Sequence, residues 1–116
     1  MSPAPAHPVT HIVLFGLNEP ADAPAVAARF VALAQECVRD GERYILSIEG
    51  GSQSSTEQPG EAWTLGFVMH FATESDRDFY VGGEDVAHES FKQYVGPLLA
   101  PAGVAVFDFT DGVVAS

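Results

Sequence analysis

The segment Val9–Leu17 restricts the possible fold more than any other part of the sequence. It reads Val-Thr-His-Ile-Val-Leu-Phe-Gly-Leu, and both alternations along it are largely apolar. Its two faces carry different sets of side chains: His11, Val13 and Phe15 on one, and Ile12 and Leu14 on the other. A strand that is apolar on both faces is normally covered on both faces. The sequence therefore predicts a sheet that lies between two other layers.

Two helical regions are expected outside this strand. The first is predicted to begin at Asp22, a suitable N-cap residue, and to stop at Gly41. The second begins with the capping sequence at residues 73–76, is interrupted by Gly82 and Gly83, and ends at residues 101–103. The first region has apolar residues at helical spacing that form one stripe: Val26, Phe30, Leu33 and Cys37.

Three more strands are expected, over residues 44–51, 63–71 and 104–109. The order of elements is then β-α-β-β-α-β, which is typical of a ferredoxin-like α+β fold with a four-stranded antiparallel sheet. Both helical regions cover the same face of such a sheet. We expect residues 9–110 to form this one domain, between an N-terminal tail of residues 1–8 and a C-terminal tail of residues 111–116.

The other face of the sheet is expected to be covered by a second copy of the chain. Residues 63–71 carry a wall of large apolar side chains, and we place this wall with His11, Val13 and Phe15 on the face without helices: Trp63, Leu65, Phe67, Met69 and Phe71. That much apolar surface is too large for a monomer to expose. A chain of 116 residues is also short for enclosing a substrate cavity alone. The prediction is a homodimer that forms a dimeric α/β barrel.

Charge and cysteine content exclude several classes of partner. Lys and Arg total 5 against 16 Asp and Glu, a formal net charge of −11, which argues against binding to nucleic acid or to an anionic membrane. A single cysteine, Cys37, allows no disulfide framework and no cysteine metal cluster. Because no secretory signal or long apolar run is present, we expect a cytoplasmic protein.

His88 is the first candidate for a functional side chain. The glycine pair Gly82-Gly83 precedes it, and either Glu84 or Asp85 can cap a new helix that has His88 in its first turn. The partial positive charge of a helix N-terminus disfavours imidazolium and favours the neutral ring that accepts a proton. His88 is therefore either a catalytic base or a packed histidine with a structural role.

His11 and Asp108 are the other candidates, since each is polar within an apolar strand. A buried imidazole needs partners for its ring nitrogens, so His11 is either a site residue or a satisfied structural histidine. Asp108 either pairs with an imidazole or is solvated at the end of its strand. His70 has the opposite parity to the wall of residues 63–71, and we interpret it as a structural residue that could meet a helix side chain.

Four sequence pieces resemble the stress-responsive A/B barrel domain family of the dimeric α/β-barrel superfamily. They are His11-Ile-Val-Leu-Phe, Trp63-Thr-Leu-Gly-Phe-Val-Met-His-Phe, Ala87-His88-Glu-Ser-Phe91 with Pro97-Leu-Leu99, and Val106-Phe-Asp-Phe109. The glycine break and the Gly-Pro-Leu-Leu sequence look most like fungal members. The resemblance implies the dimeric barrel, but many members have no assigned reaction.

A plant polyketide cyclase of that family catalyses an intramolecular aldol condensation, and its site residues match positions here. The match implies that His88 is the base, that Asp108 supports it, and that Tyr80 and His11 line the pocket. Phe79 competes with Tyr80 for the tyrosine position, because this chain has about two extra residues before His88. Leu65 stands where the cyclase has a pocket histidine.

The resulting hypothesis is a cofactor-independent lyase or cyclase that acts on a neutral polyketide-like or aromatic molecule. His88 would remove a proton alpha to a carbonyl, and Asp108 would stabilise the imidazolium. Seven side chains are expected to bind substrate: Phe15, Trp63, Leu65, Phe67, Met69, Phe79 and Phe91. Two alternatives remain open, namely a non-catalytic stress or small-molecule-binding dimer and a haem-degrading monooxygenase of the same superfamily.

Overall fold

A four-stranded antiparallel sheet forms the centre of the computed structural model, which describes residues 7–57 and 62–115. The strands are β1 (Val9–Leu17), β4 (Ile45–Ser52), β5 (Leu65–Phe71) and β6 (Leu99–Phe109), and β2 (Val38–Arg39) pairs with β3 (Glu42–Arg43) in a separate hairpin. The helices are α1 (Ala23–Val31), α2 (Leu33–Glu36), α3 (Glu74–Val81) and α4 (Val86–Val95). The order of the sheet is β4-β5-β1-β6, so the predicted ferredoxin-like α+β fold is confirmed.

The core lies between one face of this sheet and the helices. Phe15 of β1 packs with ring centroids 5.2 Å from Phe30 of α1 and 5.8 Å from Phe91 of α4. Leu65, Phe67, Met69 and Phe71 of β5 alternate with less buried residues and are themselves buried. The helical stripe predicted from Val26 to Cys37 is buried against them. The large aromatic side chains of the sequence thus hold the two layers together.

The predicted assignment of faces was wrong. His11, Val13, Phe15 and the apolar residues of β5 face the helices, and the face without helices carries Ile12, Leu14, Val68, Phe107 and Phe109. Both sets are apolar, so alternation alone could not decide between them. The bulkier set lies under the helices because the apolar stripes of α1, α2 and α4 need partners of their own. Phe107 remains 65% exposed on the open face.

His70 also belongs to that open face. Its Nδ1 lies 3.4 Å from Oγ1 of Thr10, its cross-strand partner, so it does not meet a helix side chain. The interpretation of a structural histidine agrees with this contact, although the partner was expected on a helix.

The first helical region ends before Gly41, although the sequence predicts that it continues to this glycine. Helix α2 ends at Glu36, and the chain turns through Asp40 and Gly41 with φ values of 53° and 79°. Two consecutive positive φ values are required by the tight turn that joins two antiparallel strands, and Asp-Gly is a preferred pair there. Residues predicted as the last helical turn therefore form the hairpin of β2 and β3.

The last strand starts earlier than the sequence pattern indicated. Helix α4 ends at Val95, a short 3-10 turn covers Gly96–Leu98, and β6 begins at Leu99 instead of residue 104. Pro97 lies in this 3-10 turn, just after the end of the helix. Pro101 is compatible with a strand because β6 is at the edge of the sheet, where a missing N–H costs nothing. None of the helices in the described ranges is long and apolar enough to cross a membrane.

Candidate functional site

A cavity of about 360 Å³ lies between the sheet and the helices of one chain. This volume falls within the range of small-molecule pockets, roughly 300–1,000 Å³. Its walls are mainly apolar, with Phe15 on the sheet side and Phe30, Phe91 and Val95 on the helix side. Four side chains bring polar atoms to this lining: His11, Tyr80, His88 and Lys92. A single chain thus forms the cavity that was expected to require a dimer.

His88 is held in the first turn of α4 by the cap of that helix. The side chain of Asp85 accepts a hydrogen bond from the backbone N–H of His88, with Oδ1 and N 3.1 Å apart. Asp85, and not Glu84, is therefore the N-cap. The other oxygen, Oδ2, accepts the hydroxyl of Tyr44 at 2.5 Å, and Asp85 is only 2% exposed. This buried carboxylate fixes where the helix, and with it His88, begins.

The ring of His88 is fixed by Tyr80 in two ways. Nδ1 of His88 lies 2.7 Å from the backbone carbonyl oxygen of Tyr80, and the two rings are stacked with centroids 3.7 Å apart at 6°. The carbonyl is available because Tyr80 is in the last turn of α3, where helical carbonyls lack helical partners. A carbonyl can only accept, so Nδ1 carries the hydrogen and Nε2 keeps the lone pair of the neutral ring.

The environment of His88 favours its neutral form. Burial lowers the pKa of His88 below its ordinary value, and the positive charge of Lys92 lowers it further. The bond to the Tyr80 carbonyl and the charges of Glu89 and Asp85 act in the opposite direction without reversing the shift. Nε2 has no hydrogen-bond partner among the described residues and is not sealed from solvent. The ring is thus able to accept a proton at Nε2 near neutral pH.

His11 is held by a carboxylate instead. Its Nδ1 lies 2.5 Å from Oδ1 of Asp108, which faces it across the β1–β6 ladder. Oδ2 of Asp108 accepts a hydrogen bond from the guanidinium of Arg77 at 3.0 Å. A carboxylate makes a strong, charge-assisted hydrogen bond, so this contact fixes the orientation of the His11 ring. Nε2 of His11 has no hydrogen-bond partner among the described residues, and the His11 side chain belongs to the cavity lining.

The predicted pairing of Asp108 with His88 does not form. Strand register places Asp108 directly opposite His11, and α3 brings Arg77 to its second oxygen. Both carboxylate oxygens are therefore engaged away from His88, whose own ring partner is the Tyr80 carbonyl. Of the two alternatives for Asp108, the structure shows the imidazole pair, with a different histidine.

Tyr80, not Phe79, belongs to the cavity. The Tyr80 ring contacts both histidines, with centroids 3.7 Å from His88 and 5.9 Å from His11. Burial, together with the nearby Cys37 and Asp85, raises the pKa of the Tyr80 hydroxyl, so this group stays protonated and remains a donor. Phe79 instead packs on Tyr44, with centroids 5.4 Å apart.

The predicted substrate-binding residues fall into three groups. Phe15 and Phe91 line the cavity. Phe67 and Met69 are buried in the core without reaching its lining, and Phe79 lies outside it. Trp63 and Leu65 line a separate, more polar depression beside residues 51–55. The expectation of one cavity wall along residues 63–71 was wrong because it depended on the incorrect assignment of faces.

Sequence reasoning missed three residues around the site. Lys92 follows His88 by four positions and so lies on the same side of α4, a spacing that would have revealed it. Arg77 and Tyr44 come from distant parts of the chain, and no local pattern connects them with Asp108 or Asp85. No cluster of three or more His, Cys, Asp or Glu side chains suited to a metal ion occurs within residues 7–57 and 62–115.

Fold and site together define a ferredoxin-like α+β domain that carries two histidines in an apolar cavity under its helices. A model of the stress responsive A/B barrel domain matches residues 9–111. The chain therefore belongs to the stress responsive A/B barrel domain family, which confirms the resemblance seen in the sequence.

Solved structures with the same fold come from plants and bacteria. At3g17210 from Arabidopsis thaliana has a TM-score of 0.73 at 18% identity, covering 93% of this chain and 99% of its own. Hydroxynitrile lyase from Passiflora edulis has a TM-score of 0.69 at 15% identity, covering 97% and 100%. A dimeric ferredoxin-like protein of unknown function from Jannaschia sp. has a TM-score of 0.68 at 19% identity, covering 88% and 97%. No curated protein sequence matches this chain. At these identities the neighbours show the fold alone.

Proposed function

We propose that this protein is a cofactor-independent lyase or cyclase in which His88 is the general base. The observation that supports this most strongly is the bond from Nδ1 of His88 to the Tyr80 carbonyl, because it leaves Nε2 as the accepting nitrogen beside the cavity. The substrate is a polyketide-like or aromatic molecule with a carbonyl group, uncharged where it lies between the two imidazoles. The mainly apolar walls favour such a molecule.

The proposed reaction begins with removal of a proton alpha to the carbonyl. Nε2 of His88 takes this proton, and the electron pair of the broken C–H bond moves to the carbonyl oxygen, giving an enolate. The enolate carbon then attacks a second carbonyl of the same molecule, forming a C–C bond and an alkoxide. The alkoxide takes the proton back from the His88 imidazolium, so no oxidant, reductant or metal is consumed.

His11 and Tyr80 are proposed to stabilise the enolate oxygen. The carboxylate of Asp108 orients the His11 ring through Nδ1, and in the proposed transition state Nε2 of His11 donates to the oxygen. The Tyr80 hydroxyl is a second protonated donor. In a site with little water, each such contact contributes about 2–4 kcal/mol to transition-state stabilisation. Asp108 therefore supports His11 in this proposal rather than His88.

We also propose that the protein is a homodimer joined through the open face of its sheet. Three structural neighbours are described as dimeric ferredoxin-like proteins. The open face exposes a contiguous apolar set on β1 and β6, in which Phe107 and Phe109 are the largest members. Because the cavity lies on the opposite face, the dimer would leave each site complete within one chain.

A small-molecule-binding protein without catalysis is the second candidate. It is favoured by the composition of the cavity, in which apolar side chains greatly outnumber polar ones. It differs from the first proposal in one measurable respect, since a pure binding site has no need of an imidazole that exchanges protons with the ligand.

Hydrogen–deuterium exchange at carbon tests the base directly. With 1-phenyl-1,3-butanedione in D₂O, the wild type should catalyse exchange alpha to the carbonyls, and His88→Ala should lose about 100-fold or more of the enzyme-dependent rate. His7→Ala, which removes an exposed imidazole far from His88 in the sequence, is the matched control and should catalyse exchange at the wild-type rate. Equal enzyme-dependent rates in the wild type and His88→Ala would refute the base.

A further inference from the structure

Lys92 gives the mouth of the cavity a positive charge, opposite in sign to the net charge of the molecule. It is the only lysine of a chain with net charge −11, and it belongs to the cavity lining. Its side chain is 46% exposed, so it extends from the lining to solvent. No Asp or Glu belongs to the lining formed by the described residues. Lys92 is therefore the only lysine or arginine among the described residues of this lining, and no carboxylate residue accompanies it there.

The position of Lys92 relative to His88 is set by the helix. Lys92 follows His88 by four positions on α4 and so lies about one turn further from the N-terminus of the helix. Their backbones are separated by about 6 Å along the helix axis. The ammonium group lies near enough to the imidazole to lower the pKa of His88. A ligand whose reacting carbon lies at Nε2 of His88 therefore has its far end within reach of the Lys92 side chain.

The present partner of Lys92 is weakly held. Nζ donates to Oε1 of Glu89 at 2.9 Å, with the two side chains 46% and 40% exposed. An exposed ion pair of this kind contributes about 0–1 kcal/mol, so a ligand carboxylate can replace it at little cost. Arg77, which reaches the site through Asp108, already contacts the carboxylates of Asp78 and Asp108 and is only 23% exposed. Among the described residues of the lining, Lys92 is thus the cation open to a ligand.

We propose that the cavity binds an apolar molecule that carries one carboxylate, with Lys92 as the specificity-determining residue for that acid group. The inference rests on the proposed function for the orientation of the ligand, whose carbonyl lies between His88 and His11. It narrows the substrate class to keto acids with an aliphatic or aromatic body. The overall negative charge of the chain disfavours polyanions at a distance but leaves this single local contact favourable.

Binding of two matched probes tests the proposal. The probes are 4-phenylbutyrate and 4-phenylbutanamide, which share an apolar body and differ in charge, and calorimetry at low salt gives both dissociation constants. The wild type should bind the acid about fivefold more tightly than the amide, and 0.5 M salt should reduce this preference. Lys92→Gln should abolish the preference while leaving the affinity for the amide unchanged.

Two further variants make the result specific. Arg43→Gln removes one positive charge from the distant hairpin and should keep the preference, which controls for net charge. Glu89→Gln frees Lys92 from its competing carboxylate and should strengthen binding of the acid but not of the amide. Binding of neither probe by the wild type, or an equal preference in the wild type and Lys92→Gln, would overturn the proposal.

The same measurement separates this proposal from that of the base. His88→Ala should retain the preference for the acid, because Lys92 is unchanged in it. If the wild type does not catalyse carbon exchange but still prefers the acid probe, the lyase proposal is refuted and the proposed acid-binding site is supported. If the wild type catalyses carbon exchange but binds the acid and the amide equally well, the acid-binding proposal is refuted and the lyase proposal is supported.

Discussion

The two histidines of the cavity differ in what holds the inner nitrogen of each ring. Nδ1 of His88 donates to an uncharged backbone carbonyl, whereas Nδ1 of His11 contacts a carboxylate that Arg77 also binds. A neutral partner in a buried place favours the neutral ring of His88, whereas the carboxylate holds the His11 ring in a charge-assisted hydrogen bond. One fold thus gives its two imidazoles different partners, and we assign them different parts in the proposed reaction, His88 as the base and His11 as a donor to the substrate oxygen.

The two histidines have different ring partners because one is on a helix and the other is on a strand. His88 is at the start of a helix that follows a glycine break, so the end of the preceding helix supplies an unpaired carbonyl. His11 is in the middle of a strand, where backbone groups are already paired and only a cross-strand side chain can reach the ring.

Asp85→Ala should cause the largest loss of stability. It removes the cap of α4 and leaves the Tyr44 hydroxyl buried without a partner, which together cost about 3 kcal/mol in the free energy of unfolding. Urea denaturation measures this loss. Asp85→Asn keeps a capping oxygen and should lose much less. If both variants were as stable as the wild type, Asp85 would not be the anchor of the His88 helix.

Asp108→Asn should leave the His88 side intact and damage the His11 side. The amide no longer makes the charge-assisted hydrogen bond that holds the His11 ring, so we expect carbon exchange to slow about 10–100-fold. Asp78→Asn is the control, because it removes the other carboxylate partner of Arg77 without touching His11. Similar rates in the two variants would mean that the His11–Asp108 pair is structural.

Tyr44→Phe should have a moderate effect on the His88 side. It keeps the ring that packs on Phe71 and Phe79 but removes one of the two hydrogen bonds to the buried Asp85 carboxylate, at a cost of about 1.5 kcal/mol. Tyr94→Phe removes a hydroxyl from a ring covered by Arg29 and should cost little. Equal denaturation midpoints for the two variants would contradict the importance of the Tyr44–Asp85 contact.

The pH dependence of stability should show the smallest effect. Burial lowers the pKa of His88 in the folded chain, so the unfolded chain takes up this proton more readily as the pH falls. The contribution of His88 is therefore fully present above its ordinary pKa of about 6.5 and is lost as the pH falls through the lower folded value. Urea titrations from pH 7.5 to 5 should show a steeper loss for the wild type than for His88→Gln. Identical slopes would place His88 in a water-like environment.

Much of the fold could be predicted because local chemistry determines it. The double apolar alternation of β1, the Thr73 cap of α3 and the Asp85 cap of α4 are signals contained within a few residues, and the structure has each of these elements. The faces of the sheet could not be predicted in the same way. Both alternations of β1 are apolar, so only the tertiary demand of the helices decides which one is buried beneath them.

The candidate site shows the same division. The helix-start position of His88 follows from the glycine break and the cap, which are adjacent in sequence. The partner of Asp108 depends on the strand register between two residues that are 97 positions apart in the sequence. The resemblance implied that this partner is His88, but in this chain it is His11. Arg77 and Tyr44 reach the site only through tertiary packing, which no short pattern encodes.

The tautomer and pKa of His88 provide the most direct test of the account. Nitrogen-15 NMR of the imidazoles at pH 7, with His88 assigned by comparison with His88→Gln, distinguishes a protonated Nδ1 from a protonated Nε2. The account predicts a neutral ring with the proton on Nδ1 and a midpoint of titration below 6.5. A proton on Nε2, or an imidazolium that persists above this pH, would contradict it.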